Sequence, residues 1–316
     1  MRNRRTAVLG GSGFVGRYVV KRLAARGDVI AVGCRNAERA KFLTTMGAVG
    51  QIVPLNVTID NEALVAAFLA GNHELVNCVG ILRESRSQTF ELLHHLGPAR
   101  LARLAREAGI GRFVHVSAIG ADPRSASAYA RTKATGEAAV RDAFPTVTIL
   151  RPSVVFGPED QFFNRFAAMA MISPVLPLIG GGQTRFQPVF VGDVADAVLK
   201  CLEDPTAAGR VYELGGPQIY TLREILELLL NEIRRKRWFI DLPFGLAALQ
   251  ARLMALLPNP PLTPDQVELL KGDNVVSSGA MTLASLGISA TPSEVILPTF
   301  LERFRRGGYE RRQLPT

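Results

Sequence analysis

Cysteine is scarce. Cys34, Cys78 and Cys201 stand far apart in 316 residues and form no CxxC pair. That spacing excludes a disulfide framework or a zinc ribbon and points to a reduced, intracellular setting. The four histidines, His73, His94, His95 and His115, show no metal-ligand spacing, so no metal site is expected. No apolar run approaches the roughly 18–20 uncharged residues of a membrane-spanning helix. Arg2, Arg4 and Arg5 do precede an apolar run, but that run contains a glycine turn and does not read as a signal peptide. Internal repeats and low-complexity linkers are also missing. With 47% apolar and 21% charged residues, the chain reads as an ordinary globular protein with one large core and a smaller lobe.

The formal net charge is +9, unevenly spread. Arg234, Arg235, Lys236 and Arg237 form one cluster, and Arg303, Arg305, Arg306, Arg311 and Arg312 crowd the C-terminal end. No aromatic residues are interleaved with these clusters to stack bases, so nucleic acid is not an expected partner. Solvated faces, an anionic ligand, anionic lipid headgroups and an acidic protein all remain open. Phe244, Leu246, Leu249, Leu253, Leu256 and Leu257 make an apolar stripe just beyond the first cluster. It suits either a core helix of the smaller lobe or a helix lying on a membrane surface.

Residues 7–16 read AVLGGSGFVG. An apolar run ends in Gly10, Gly13 and Gly16 follow at three-residue steps, and an amphipathic segment opens behind them. This is how a strand turns into a helix whose first amides hold a pyrophosphate. Gly10 suits the tight turn, Gly13 the approach of backbone to ligand, and Gly16 the close packing of helix on strand. Ser12, Phe14 and Val15 lie in the same turn, and Val79 and Gly80 end the fourth expected strand. All five are candidate nucleotide contacts.

Val15, Val19, Val20 and Leu23 keep a helical period that Gly27 ends. Further strands are expected at Val29–Gly33, Gln51–Leu55, Leu75–Val79, Arg112–Ser117, Thr146–Leu150 and Arg210–Leu214. Helices are expected over Ala37–Met46, Ala63–Leu69, Phe90–Ala108, Ala128–Ala143, Asp193–Leu202 and Leu222–Arg234. This alternation specifies an α/β fold, a Rossmann-type doubly wound parallel sheet with a smaller C-terminal cap lobe. Residues 4–155 with 186–214 are assigned to the Rossmann domain, and 156–185 with 215–316 to the lobe on the substrate or partner side.

Arg35 and Asn36 follow the second strand, where an NAD enzyme usually carries an acid for the ribose 2′-hydroxyl. With an arginine there instead, NADP(H) is expected in preference to NAD(H). Asn56, after the third strand, is placed to reach the adenine edge. Tyr129 and Lys133 stand four residues apart at the start of a helix, which puts both on one face. An ammonium beside a phenol favours the phenolate and equips Tyr129 to exchange a proton with a carbonyl or hydroxyl.

GGSGFVG, YARTK, LRPSVVFGPED and PVFVGDVADAV, in that order, resemble the short-chain dehydrogenase/reductase superfamily in its extended and atypical branches. The resemblance implies a pyrophosphate at Gly10, Gly13 and Gly16 and a 2′-phosphate at Arg35. It makes Tyr129 the acid/base and Lys133 its partner, with Pro152 and Ser153 bordering the nicotinamide. That family also sets a Ser or Thr near the end of the fifth strand. Here VHVSAIGAD offers Ser117 as the third catalytic candidate, with Ala118 and Ile119 behind it.

A narrower resemblance covers Thr6 to about residue 300. AVRDAFPTVTILRPSVVFGPEDQFFNRFAAM, with HVSAIGAD before it and GISATPSE near the end, is similar to the NADPH-binding accessory subunits of respiratory complex I. It implies a tightly held structural nucleotide, partners among complex I subunits near the quinone site, and an anionic membrane surface close by. The implied location is peripheral, on the cytoplasmic face of a bacterial inner membrane or the matrix face in a mitochondrion. The lack of an Arg/Ser-rich presequence favours a bacterial or mature chain. The alternative is an active NADP-dependent reductase, epimerase or dehydratase using Tyr129 and Lys133 on a small hydroxyl or carbonyl substrate.

Overall fold

The computed structural model describes residues 4–255 and 260–305. Arg2, Leu256, Leu257, Arg306, Arg311 and Arg312, singled out above, lie outside them. The chain opens with β1 (Arg5–Leu9), α1 (Phe14–Arg26), β2 (Val29–Cys34), β3 (Ile52–Asn56), α2 (Glu62–Leu69) and β4 (Glu74–Asn77). It continues through α3 (Gly97–Glu107), β5 (Arg112–Val116), α4 (Ala128–Ala143) and β6 (Thr148–Pro152). Next come β7 (Val155–Phe156), α5 (Phe163–Ile172), β8 (Val175–Ile179), β9 (Arg185–Phe186) and β10 (Val189–Phe190). The remaining elements are α6 (Val191–Glu203), β11 (Val211–Leu214), β12 (Tyr220–Thr221), α7 (Leu222–Glu232), β13 (Trp238–Leu242), α8 (Phe244–Met254), α9 (Pro264–Leu269) and α10 (Ser293–Leu301).

Two compact units result. The first holds the described residues through Pro152, with Val191–Leu214 and Ser278–Ser289. Its seven strands are all parallel, in the order β11-β6-β5-β4-β1-β2-β3, the doubly wound sheet that the alternation specifies. Chain order reverses at β1, which pairs with both β2 and β4, and ligands of such sheets bind beyond the strand ends at that switch point. Leu75, Leu101, Phe113, Val140 and Ile149 form part of the core on one face, and Val19, Val20 and Leu23 of α1 are fully buried. Ser278–Ser289 returns to this unit, where the Met281 carbonyl accepts the Glu213 amide at 2.8 Å.

Two expected helices differ. Over Ala37–Met46 only a 3₁₀ segment forms, Lys41–Met46. The Thr44 and Thr45 hydroxyls donate to the carbonyls three residues back, Lys41 and Phe42, at 2.7 and 2.8 Å. Buried Ala40 and Leu43 also suit a three-residue turn. The helix expected over Phe90–Ala108 is split into a π turn, Glu91–Leu96, and α3. Pro98 has no amide to give the His94 carbonyl, and Gly136 of α4 packs against that freed oxygen so closely that a Cβ there would lie 1.7 Å away.

The second unit comprises Ser153–Phe190, Gly215–Ser277 and the described residues from Ala290 on. Three two-stranded ribbons, β7 with β10, β8 with β13 and β9 with β12, accompany a core of Phe156, Phe163, Leu176, Leu178, Leu226 and Leu297. Capping boxes start α7 (Thr221, Glu224) and α9 (Thr263, Gln266). The leucines of the stripe on α8 face out: Leu246, Leu249 and Leu253 are exposed, whereas Ala247 and Ala251 are buried and Phe244 packs half-buried beside them. No described helix is long and apolar enough to cross a membrane.

Candidate functional site

The glycine turn lies at the carboxyl end of β1, between β2 and β4. The Gly10 amide donates to Gly33 at 2.8 Å and the Gly13 amide to Gly10 at 3.0 Å. Gly10 adopts φ +78°, and a Cβ there would sit 3.0 Å from the backbone at Cys78 and Val79. At Gly16 a Cβ would lie 2.3 Å from the Gly10 carbonyl oxygen, so α1 meets the turn at backbone contact. Gly13 caps α1 in extended geometry, without a side-chain cap and with no acid in the first turn. The helix start is therefore open to an anion, and the cradle fits a dinucleotide pyrophosphate.

Ser12, Phe14 and Val15 complete that turn. At the end of β2, Arg35 is exposed and no carboxylate pairs with it among the described residues. The Asn36 side chain accepts the Arg39 amide at 2.9 Å, and that of Asn56 accepts the Ala37 amide at 2.7 Å. Asn56 thus braces the loop that carries Arg35.

At the end of β4, Asn77 Oδ1 accepts the Val79 amide at 3.1 Å, while Asn77 Nδ2 lies 3.1 Å from His115 Nδ1. This positions Val79 and then Gly80, where a Cβ would stand 3.3 Å from Lys133 Nζ. Ser127 caps α4 by accepting the Ala130 amide at 3.2 Å, setting the turn from which Tyr129 and Lys133 project. The Tyr129 ring meets Phe90 and His94 edge-on, with centroids 5.8 and 5.1 Å away, and Lys133 Nζ lies 5.9 Å from its centroid. Lys133 is buried, and among the described residues its one hydrogen bond is a long 3.5 Å contact to the Val116 carbonyl. Burial pushes its pKa down to about 8, with Glu137 and Cys78 opposing.

Several contributors were missed in the sequence. His94 accepts the Ile81 amide at Nε2 (3.2 Å), which leaves Nδ1 to donate to Thr132 at 3.3 Å. Burial first, then the Lys133 charge, hold it neutral, far below the usual histidine range. Beneath Lys133, Glu137 is clasped by Arg151 at 2.6 Å, and Glu213 stands 3.6 Å from the same guanidinium. A histidine dismissed as lacking metal spacing, and acids and an arginine on three separate elements, offered no local signal.

Ser117 extends the β5–β6 ladder, its amide donating to Leu150 at 2.7 Å. Its hydroxyl is buried and hydrogen-bonds to nothing among the described residues, Tyr129 included. Pro152 ends β6. Ser153 opens the second unit, where its hydroxyl engages the Asn274 side chain at 2.7 Å.

Residues 6–215 match the NAD dependent epimerase/dehydratase family. The chain is 36% identical to NADH dehydrogenase [ubiquinone] 1 alpha subcomplex subunit 9, mitochondrial, of Arabidopsis thaliana, covering 95% of this chain and 78% of that protein. The mouse (Mus musculus) protein of the same name is 33% identical over 94% of this chain and 80% of its own length. An NADPH-dependent quinone oxidoreductase of Escherichia coli, solved with NADPH, superposes with TM-score 0.74 over 94% of this chain and 99% of its own, at 21% identity. That likeness shows the shared fold.

Proposed function

This chain belongs to the NAD dependent epimerase/dehydratase family, as a homologue of the complex I alpha subcomplex subunit 9 proteins, and from that premise we propose that it is a complex I accessory subunit holding NADP(H) chiefly as a structural ligand. The observation that carries this reading is the reach of the likeness, which runs through the second unit as well as the nucleotide fold. The partners would be complex I subunits near the quinone site. The setting would be the cytoplasmic face of a bacterial inner membrane, or the matrix face in a mitochondrion.

In this role the first-turn amides and Gly10, Ser12, Gly13, Phe14, Val15 and Gly16 hold the pyrophosphate. Arg35, without a carboxylate partner among the described residues, takes the 2′-phosphate that distinguishes NADP(H) from NAD(H). Asn56 holds the Arg35 loop and the adenine edge, while Val79, Gly80 and Pro152 border the nicotinamide end. Lys133 has donors to spare and offers them to the adjoining ribose.

When bound, the nicotinamide can supply or accept a hydride. Tyr129 and Lys133, sharing one face of α4, keep a second reading alive: an NADP-dependent reductase, epimerase or dehydratase acting on a small hydroxyl or carbonyl. Tyr129→Phe separates the two readings. The subunit reading expects unchanged nucleotide content and unchanged NADH oxidation by membranes carrying the variant. A tenfold or greater loss of turnover on a carbonyl substrate, with nucleotide retained, would establish the enzyme instead.

A further inference from the structure

The ribbon of β8 and β13 in the second unit has one face that the described residues leave largely uncovered. Val175 stands opposite Trp238 and Pro177 opposite Ile240. Alternation turns Leu176, Leu178 and Phe239 toward the protein and Val175, Pro177, Trp238 and Ile240 away from it. Trp238, the only tryptophan in the chain, is 76% exposed, and Ile240 is 58% exposed. Ile172, the last residue of α5 and just ahead of β8, is 90% exposed. The turn leading into β13 is basic. Arg237 Nε anchors it on the Ala170 carbonyl at 2.7 Å, while Arg234 and Lys236 are exposed without a carboxylate partner among the described residues. Arg234 holds a left-handed φ of 52° at the C-terminal cap of α7, where the Arg235 amide reaches back to the Leu230 carbonyl at 3.0 Å.

Large apolar side chains, a tryptophan at their margin and uncancelled cations beside it match the boundary of an anionic bilayer, where an indole sits at headgroup depth and cations meet phosphates. A two-fold dimer through the same face would instead gather like charges around one interface. We infer that the outer face of β8–β13, with Ile172, inserts shallowly into an anionic lipid surface, Arg234 and Lys236 binding the headgroup phosphates. This rests on the peripheral membrane placement proposed above, though not on the nucleotide site.

Trp238 reports on its own surroundings. The full chain is titrated with phosphatidylcholine vesicles containing about 30 mol% phosphatidylglycerol, and with phosphatidylcholine alone. The expected result is a blue shift of tryptophan emission, quenching by brominated lipid, and binding at least tenfold tighter to the anionic vesicles. Arg234→Gln with Lys236→Gln weakens that binding about 30-fold, at about one kcal/mol for each charge. Ile240→Ser weakens it in a sedimentation assay, with circular dichroism and nucleotide content unchanged. Emission indifferent to anionic vesicles, or binding unaltered by the double variant, overturns the inference. So does a chain that sediments as a dimer with Trp238 already blue-shifted, because a second copy then covers the face. Co-purification with complex I subunits without vesicle binding leaves the proposed function standing and removes only this surface.

Discussion

Gly13 and Gly16 lie three residues apart in one turn, and the structure gives them opposite sensitivities. A methyl at Gly16 would stand 2.3 Å from the Gly10 carbonyl oxygen and 2.6 Å from Gly11 Cα, backbone atoms that cannot move aside without parting α1 from β1. Gly16→Ala therefore costs more than about 4 kcal/mol and is expected to yield insoluble chain. At Gly13 an added Cβ would stand 3.1 Å from the Gly10 carbonyl oxygen, a tight contact that a shift of a few tenths of an ångström relieves, and φ −73° with ψ −178° suits alanine. Weaker capping by alanine and lower entropy of the unfolded chain nearly offset, so Gly13→Ala changes the stability of the nucleotide-free protein by less than about 1 kcal/mol. The added methyl instead occupies the open helix start where the pyrophosphate belongs. Wild type in NADPH at a hundred times its Kd gains about 2.7 kcal/mol, a rise in melting temperature of about 4 °C. Differential scanning fluorimetry with and without NADPH reads both numbers. Gly13→Ala should melt with the nucleotide-free wild type and fail to respond to NADPH. A full response in Gly13→Ala, or a well-folded Gly16→Ala, would refute the assignment of the turn.

Arg35→Glu should weaken NADPH binding at least 30-fold while leaving NADH binding within a few-fold, read by calorimetry; equal losses for both would mean that Arg35 does not meet the 2′-phosphate. Lys133 is held at about 8, below its ordinary 10.5, so between those pH values the unfolded chain binds a proton that the folded chain has shed. Stability of the nucleotide-free protein accordingly rises across that window, by about 3 kcal/mol, and Lys133→Met should flatten the rise in urea titrations. An identical rise in the variant would show that other groups cause it. Gly136→Ala sets a methyl 1.7 Å from the His94 carbonyl oxygen and should lower the melting temperature by more than about 6 °C; a wild-type value would mean that the π turn does not depend on this contact.

The parallel sheet was legible because its strands are short apolar runs bounded by turn residues, and glycine marks the places where backbone meets backbone. Gly10 and Gly16 are such places. The π turn was hidden because Leu93, Leu101 and Leu104 keep a helical period that runs straight across it. Its cause is a proline next to a distant glycine, Pro98 and Gly136, a pairing that no local pattern reports. On α8 the periodicity was visible but its direction was not, since small alanines satisfy a close packing face as well as leucines do. The β8–β13 ribbon joins segments about sixty residues apart, and Pro174 and Pro177 disguise one of them as loop. At the site, Tyr129, Lys133 and the glycine turn could be read from spacing alone. Asn77, His94 and the Glu137–Arg151–Glu213 cluster could not, because their partners come from other elements.

The central claim is that this fold holds NADP(H) as part of a respiratory assembly. The most direct measurement is gentle purification of the tagged chain from native membranes, with mass spectrometry of the accompanying proteins and quantification of released nucleotide. The account predicts complex I subunits together with stoichiometric NADP(H). A chain recovered free of those subunits, or with NAD(H) or no nucleotide in its place, would contradict it.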